Sequence, residues 1–400
     1  SIQSSEAASL GSSYITPSAS FGNAISQGLM GEVGYAYDLL NGGFKYDISK
    51  RVNISNKAPT IDLSSELSKL DKQLQPSGNS LWKESFSNVV STLSKTDELE
   101  ASVTLGASSF PVQSFYGSSA DSEADLSDYQ APYLEMGEGG IGLNANYELG
   151  NKRLMLGATS PILIDNLNGE RIGSRKSLVA SLEFQSPSEN SLTLMTGVTQ
   201  DKDNLLGSTG NDAYSMSGSR SNTTFAAIKA QNTIGNDLTL TGIASAAKTN
   251  MSKPRDSFIN SASNVNSSSL SLIATQKNIT GDDSFSLSVS QPNRVNNGEM
   301  SIRLSNLAES DGSITHRNTN INLKPTGRQM VYGLTYRKDL DKGIGFSVKH
   351  LLTSNLNHNH NSDLARSSYI GLRYKDLKLG YNINSHDLSE NTELSFNRLF

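Results

Sequence analysis

The chain of 400 residues contains no cysteine. That excludes disulfide frameworks and thiolate metal sites, and leaves the redox compartment open. Long apolar runs are missing too, since no uninterrupted stretch approaches the roughly 18–20 residues that a membrane helix requires. Neither sign of charge dominates. Lys plus Arg 34 against Asp plus Glu 39 gives a formal net charge of −5, so no basic field for nucleic acid exists. Charged residues are only 18% of the chain, which sets it apart from highly charged disordered chains. A hydrophobic share of 35% is low for a globular protein of this size. A chain that is polar yet ordered spreads its apolar residues thinly over many thin elements. Residues 1–13, SIQSSEAASLGSS, have neither the basic nor the apolar region of a signal peptide. They read as the start of a processed product or of a piece cut from a longer precursor, with any export signal upstream.

What is abundant is period-two alternation after residue 98. Ile141, Leu143, Ala145, Tyr147 and Leu149 share one face, with Gly142, Asn144, Asn146 and Glu148 on the other. Phe285, Leu287 and Val289 alternate with serines, and Leu377, Leu379, Tyr381 and Ile383 alternate with Lys378, Gly380, Asn382 and Asn384. About sixteen such segments can be counted, twelve to fourteen at the lower bound. Tight Gly/Asn/Asp turns such as Gly150-Asn151, Gly235-Asn236 and Gly281-Asp282 alternate with long polar loops near 108–140, 159–176, 200–221, 248–267 and 351–367. The loop 306–317 breaks that parity, being long where a short turn is due. The expectation is an all-β fold, a transmembrane antiparallel β-barrel with an apolar lipid face and a polar lumen face on each strand. Lipid offers no partner to an unpaired strand edge, so the sheet must close.

The final strand, Thr392–Phe400, places Leu394, Phe396 and Phe400 in one register and ends on an aromatic. Outer-membrane assembly machinery reads a C-terminal strand of this kind, so those three residues are the candidate assembly signal. Residues 1–97 are different. Ile61–Gln75 and Leu81–Lys95 carry leucines, valines and a phenylalanine at helical spacing, and Pro76, Ser77 and Gly78 separate them. The chain therefore divides into a partly helical linker or plug over 1–97 and a barrel over 98–400. Part of the first segment is expected to enter the barrel and narrow it.

Several motifs in order resemble the C-terminal region of autotransporter-like bacterial subtilisin-family serine peptidases. They are Ser20–Ala24, Tyr37-Asp38, Phe44–Ile48, Leu192–Val198, Leu205–Ser208 with Ala213-Tyr214, Ser290–Val295 with Gly298, and Lys324–Arg328. The resemblance runs from about residue 20 to about 375 and covers only the non-protease end of those proteins. It implies an outer-membrane barrel that anchors, and exports, an N-terminal protease passenger. Asn293, Tyr214 and Gln329 depart from the pattern, which leaves the architecture alone and puts any shared turn chemistry in doubt.

No catalytic chemistry is legible. The five histidines (His316, His350, His358, His360 and His386) sit in no setting that resembles the peptidase motifs, so no catalytic residue is assigned. His358 and His360, two imidazoles on a polar loop near His350, read as solvated side chains, and neither metal nor cofactor is expected. Gly137–Gly140 is a turn before a strand, since no helix pattern follows to make it an anion site. Gln291, Arg294, Gly298, Gly327 and Arg328 are candidate lumen or turn residues. The two arginines either line the lumen or bind an anion at the loop rim, or else they hold turn carbonyls and fix the strands. The leading reading is a passenger-bearing outer-membrane barrel; the alternative is a stand-alone pore or receptor that binds solutes or partners through its long loops. Expected partners are the lipid bilayer, the barrel assembly machinery and a passenger protease, with no nucleic acid.

Overall fold

Each alternating run bonds to the next across a reversal that glycine makes cheap. Gly150, Gly235 and Gly281 occupy positive φ (62°, 65° and 112°) in three of the short turns. The structure is a computed structural model and describes residues 13–37, 43–53, 88–96, 99–108, 133, 138–160, 175–186, 190–309, 313–340, 344–374, 377–384 and 390–396. Three short strands come first, β1 (Ile15–Thr16), β2 (Val33–Tyr37) and β3 (Gly43–Asp47), with a one-turn helix α1 (Ala24–Gly28) between the first two. Then follow β4 (Asn88–Lys95), β5 (Leu99–Ser108), β6 (Glu138–Leu149), β7 (Lys152–Ser160), β8 (Arg175–Gln185) and β9 (Ser191–Lys202). After the two-residue β10 (Thr209–Gly210) come β11 (Arg220–Ile234), β12 (Leu238–Met251), β13 (Ile259–Lys277), β14 (Asp283–Ser305) and β15 (His316–Asn322). The chain ends with β16 (Met330–Leu340), β17 (Ile344–Ser354), β18 (Ala365–Tyr374), β19 (Leu377–Asn384) and β20 (Glu390–Phe396).

Fifteen of these strands, all but β1 to β3, β10 and β15, form one unbroken antiparallel path from β4 to β20. Its burial is inside out for a soluble sheet. Leu178, Leu272 and Leu287 are 61%, 55% and 50% exposed, whereas Thr193, Ser271 and Ser286 on the opposite face are 0%, 1% and 3% exposed. An outward apolar face and an inward Ser/Thr face are the signature of a transmembrane barrel. The chain is an outer-membrane β-barrel. No helix among the described residues is long and apolar enough to cross a membrane, so the strands do the crossing.

Three expectations need correction. Asn88–Lys95, read as the end of a helix, is a wall strand paired with β5. Val89, Val90 and Thr92 are β-branched, and their fit to a pleated surface outweighs a helical spacing that also reads as alternation. The helix expected over Ile61–Gln75 lies outside the described residues. Next, the segments 284–290 and 298–305 are one 23-residue strand, β14, and the expected strand 318–323 falls, up to Asn322, in β15, which among the described residues pairs with the upper half of β14 alone. That explains the long 306–317 loop, because the β14–β15 hairpin turns at the long-loop end. Last, most of the expected 248–267 loop is ladder, since β12 runs to Met251 and β13 begins at Ile259. Its Asn and Ser run conceals a strand because this stretch rises past the apolar belt, where no lipid demands an apolar face.

The inner face changes character along β13 and β14. Cross-strand partners share a face, and the pairs read upward as Ser271 with Ser290, Ser267 with Val295, Ala262 with Met300, and Ile259 with Ile302. Serine gives way to aliphatic side chains, and the N-terminal segment covers them. Ile15, Phe21, Ile25, Leu29 and Ile48 are fully buried in the same apolar cluster as Val265, Met300, Ile302, Leu304 and Ile321. Polar clasps fix its placement. Arg317 donates to Glu32 at 2.9 Å and to the Val33 carbonyl at 2.9 Å, and Ile15 pairs with Gly210 in the loop after β9.

Candidate functional site

The crossing from β15 back to the wall creates a cleft. Residues 323–329 must return from the upper half of β14 to β16, and in doing so they run between β14 and the β17–β18 loop. The resulting space, about 660 Å³, is lined by Arg294 and Asn296 of β14, by Lys324, Thr326, Gly327 and Arg328 of the crossing, and by Asn355 and His360 of the loop. Gly327 permits the close approach. Its N–H donates to the His358 carbonyl at 2.7 Å, and a Cβ there would lie 2.6 Å from the His360 nitrogen.

Arg294 is the pillar of this junction. Its Nε donates to the Gly327 carbonyl at 2.8 Å, its Nη2 to the Pro325 carbonyl at 2.9 Å, and its Nη1 to Asn296 Oδ1 at 3.2 Å. Arg294 is 5% exposed, and its guanidinium feels the Arg328 charge. Arg328 donates through Nη1 to Gln291 Oε1, and Gln291 in turn donates to the Ser268 carbonyl at 3.1 Å. Four of the five motif candidates, Gln291, Arg294, Gly327 and Arg328, thus meet at one place. Gly298 does not; it sits on the apolar platform, where its carbonyl accepts from Leu323 N at 2.9 Å.

The rest of the site hangs on residues that the sequence did not advertise. His358, expected to be a solvated loop side chain, is fully buried. Its Nδ1 accepts from Gln329 N at 2.8 Å, and its Nε2 lies 3.0 Å from the Asn293 carbonyl, so both ring nitrogens are engaged. Burial, aided by the nearby Arg294 and Arg328 charges, pushes its pKa down to about 4, which keeps it neutral. Asn355, Asn357 and His358 all adopt left-handed φ (51°, 51° and 52°), a strained run that the surrounding bonds hold in place. Gln329 Oε1 accepts from Asn357 N at 2.8 Å as one of them. His350 of β17 bonds Ser368 Oγ of β18 at 2.9 Å. Among the described residues no metal-ligating cluster forms.

The N-terminal segment is tied to the same junction. Asn23 Oδ1 accepts from Thr326 N at 3.1 Å, and Asn23 Nδ2 donates to Thr326 Oγ1 at 2.8 Å and to Asn359 Oδ1 at 3.1 Å. Asn293 joins three parts of the molecule. Its Nδ2 donates to Ser20 Oγ at 3.2 Å, its carbonyl meets His358, and its Oδ1 accepts from Tyr133 Oη at 3.0 Å. Tyr133 belongs to the β5–β6 connection, several strands away along the wall, and stacks on the inward Phe225 with ring centroids 5.5 Å apart. Burial raises its pKa to about 12. Asn293, Gln329 and Tyr214, the departures from the family pattern, are all buried here, Tyr214 edge-on to Phe258 at 5.8 Å. The polar side chain of Asn293 is explained by Ser20 and Tyr133, partners remote in sequence, and that of Gln329 by Asn357 N in the β17–β18 loop.

The assembly-signal candidates lie at the other end of the chain. In β20, Leu394 is the register partner of Leu379 and Phe396 that of Leu377. Phe400 lies outside the described residues.

No protein-family model matches the sequence, and no curated protein does. Among solved structures, the chain is similar to the ferric-catecholate import receptor Fiu from E. coli K12 in its open form, at 10% identity and a TM-score of 0.42, covering 78% of this chain and 60% of that one. It is also similar to Pseudomonas aeruginosa OpdK with vanillate, at 13% identity and a TM-score of 0.37, covering 74% and 72%. Pseudomonas aeruginosa OpdQ is similar at 12% identity and a TM-score of 0.36, covering 76% of each chain. The chain therefore spans about 60% of the length of the receptor named first. These likenesses are too remote for residue correspondence, and the barrel rests on the chain's own ladder and on its inside-out burial.

Proposed function

We propose that the protein is an outer-membrane pore or receptor that admits solutes, with its long-loop mouth occupied by its own N-terminal segment. One observation carries this reading: Ile15, Phe21, Ile25, Leu29 and Ile48 are buried in a single cluster with the inner aliphatic side chains of β13 to β15. A barrel that only holds a passenger in the bilayer has no need for an apolar seat at its mouth. A conduit that opens and closes does. The inward Ser and Thr faces of the wall are packed and buried as the barrel stands, and their polarity suits a path that takes up water when the seat opens. Tyr133, reaching over to β13 and β14, supports a narrowed lumen.

The test is conductance in planar bilayers, comparing the full chain with a variant lacking residues 13–53. Larger or more frequent openings are expected after the deletion. Equal conductance in a folded, heat-modifiable barrel would remove the reading. The passenger-anchoring role is the second reading, and it is favoured by the ordered motifs Ser290–Val295 and Lys324–Arg328, whose residues converge on one junction. In either role the bilayer and the assembly machinery are the partners, with Leu394, Phe396 and Phe400 as the recognised strand.

A further inference from the structure

The cleft beside Arg294 gathers positive charge that its own wall leaves unneutralised. Arg294, Lys324 and Arg328 line it together with the His360 imidazole, and among the described residues no carboxylate lines it. Protein surfaces normally intersperse the two signs, and like charges held together in a partly buried space repel unless a counter-charge arrives. The division of labour among the side chains is informative. All three guanidinium nitrogens of Arg294 are committed to the Gly327 and Pro325 carbonyls and to Asn296. Arg294 is thus a fixed, buried source of field. Asn355 Nδ2 is committed to the Arg328 carbonyl, and Asn296 Nδ2 to Ser268 Oγ, so these amides are frame. What faces the opening is different. Arg328 has one nitrogen on Gln291 and its remaining donors uncommitted among the described residues, while Lys324 and His360 are exposed at the rim.

We propose that this cleft binds a small oxyanion of at least two negative charges, held by Arg328 and Lys324 over the fixed charge of Arg294. The guanidinium fork matches paired carboxylate or phosphate oxygens, and the lysine supplies a mobile point charge from the same crossing. Monovalent or neutral solutes gain too little from a site with three positive charges, and cations are repelled. As the identity of the admitted solute, the proposal rests on the pore-or-receptor reading; as a binding site, it is measured without transport. A consequence for the mouth also follows. The crossing that carries Lys324 and Arg328 is the one that Asn23 holds through Thr326, so an occupant of the cleft acts directly on the tether of the N-terminal segment.

The experiment is calorimetric titration of the full chain in detergent with citrate and, separately, with pyrophosphate, using spermidine as the cationic control. Binding of at least one oxyanion is expected, weakening as salt is raised. Arg328→Gln and Lys324→Gln are each expected to weaken it tenfold or more. Citrate alone assigns a carboxylate source, pyrophosphate alone a phosphate source, and both together a site that reads charge. Lys324→Gln changes an exposed side chain, and heat-modifiability checks that the barrel still folds. Failure of both oxyanions to bind the full chain, undiminished binding by a folded Lys324→Gln protein, or equal binding of spermidine overturns the proposal. Oxyanion binding combined with unchanged conductance after deletion of residues 13–53 keeps the site and discards the solute-admission reading.

Discussion

His358 combines complete burial with two engaged ring nitrogens, and that makes the junction sensitive to acid. Its folded pKa of about 4 lies below the 6.5 of a free imidazole. Between those values the released loop takes up a proton that the docked loop refuses. The stability it contributes is therefore complete above pH 6.5 and is lost as pH falls through about 4. The largest loss is on the order of 3 kcal/mol. Melting of the N-terminal segment, followed by limited proteolysis between pH 7 and pH 4, is expected to steepen over that window. His358→Gln flattens the profile. Gly22 is a second point of high cost. It sits at φ 49°, and a Cβ there would lie 2.0 Å from the Asn357 carbonyl oxygen. Gly22→Ala is expected to destabilise docking by about 2 kcal/mol or more, read as faster cleavage of the segment. At this scale the sequence disclosed little. His358 read as a solvated loop side chain, and Asn293 as a departure from the family pattern, because their partners, Gln329, Ser20 and Tyr133, belong to other elements.

At the scale of elements, β14 organises the molecule. Its lower half bonds β16 and its upper half β15, so one strand belongs both to the wall and to the seat of the N-terminal segment. Two kinds of contact hold that segment, and their magnitudes differ. The Glu32–Arg317 pair is about a third exposed, so Glu32→Gln is expected to cost no more than about 1 kcal/mol. Phe21 is fully buried, and Phe21→Ala is expected to cost roughly 3–5 kcal/mol and to release the segment. Protease protection of residues 13–53 separates the two variants. The final strand gives another expectation at this scale. Deleting Phe400 should reduce the heat-modifiable, outer-membrane fraction of the protein, and unchanged assembly would show that the terminal aromatic is not read. Strand positions in the wall were legible from alternation because every residue there faces either lipid or lumen. Asn88–Lys95 and Ile259–Asn266 were not, since the first also fits a helical spacing and the second lies beyond the apolar belt.

The whole molecule is organised by two solvents. Lipid meets Leu178, Leu194, Leu272, Leu287 and Ile370 on the outside, and the packed polar interior meets Ser181, Thr193, Ser271, Ser286 and Ser367. Leu272→Arg is expected to destabilise the barrel in lipid vesicles by about 2–4 kcal/mol, whereas Leu272→Phe keeps the apolar belt and is expected to change little. Chemical unfolding in vesicles measures both. Equal effects would mean that this face does not meet the hydrocarbon.

Alternation, turn chemistry and the lack of any helix-length apolar run were enough by themselves to determine a wall of antiparallel hairpins with one apolar and one polar face. Those signals are local, because a two-residue period and a glycine at positive φ are fixed within a few positions of the chain. Tertiary structure alone decided where the N-terminal segment docks, that β14 bonds β16 along one half and β15 along the other, and that Arg294, Lys324 and Arg328 share a cleft with His360. These depend on contacts between residues as far apart in the chain as Asn23 and Thr326 or Ser20 and Asn293, whose energies exist only once the ladder has brought the partners together.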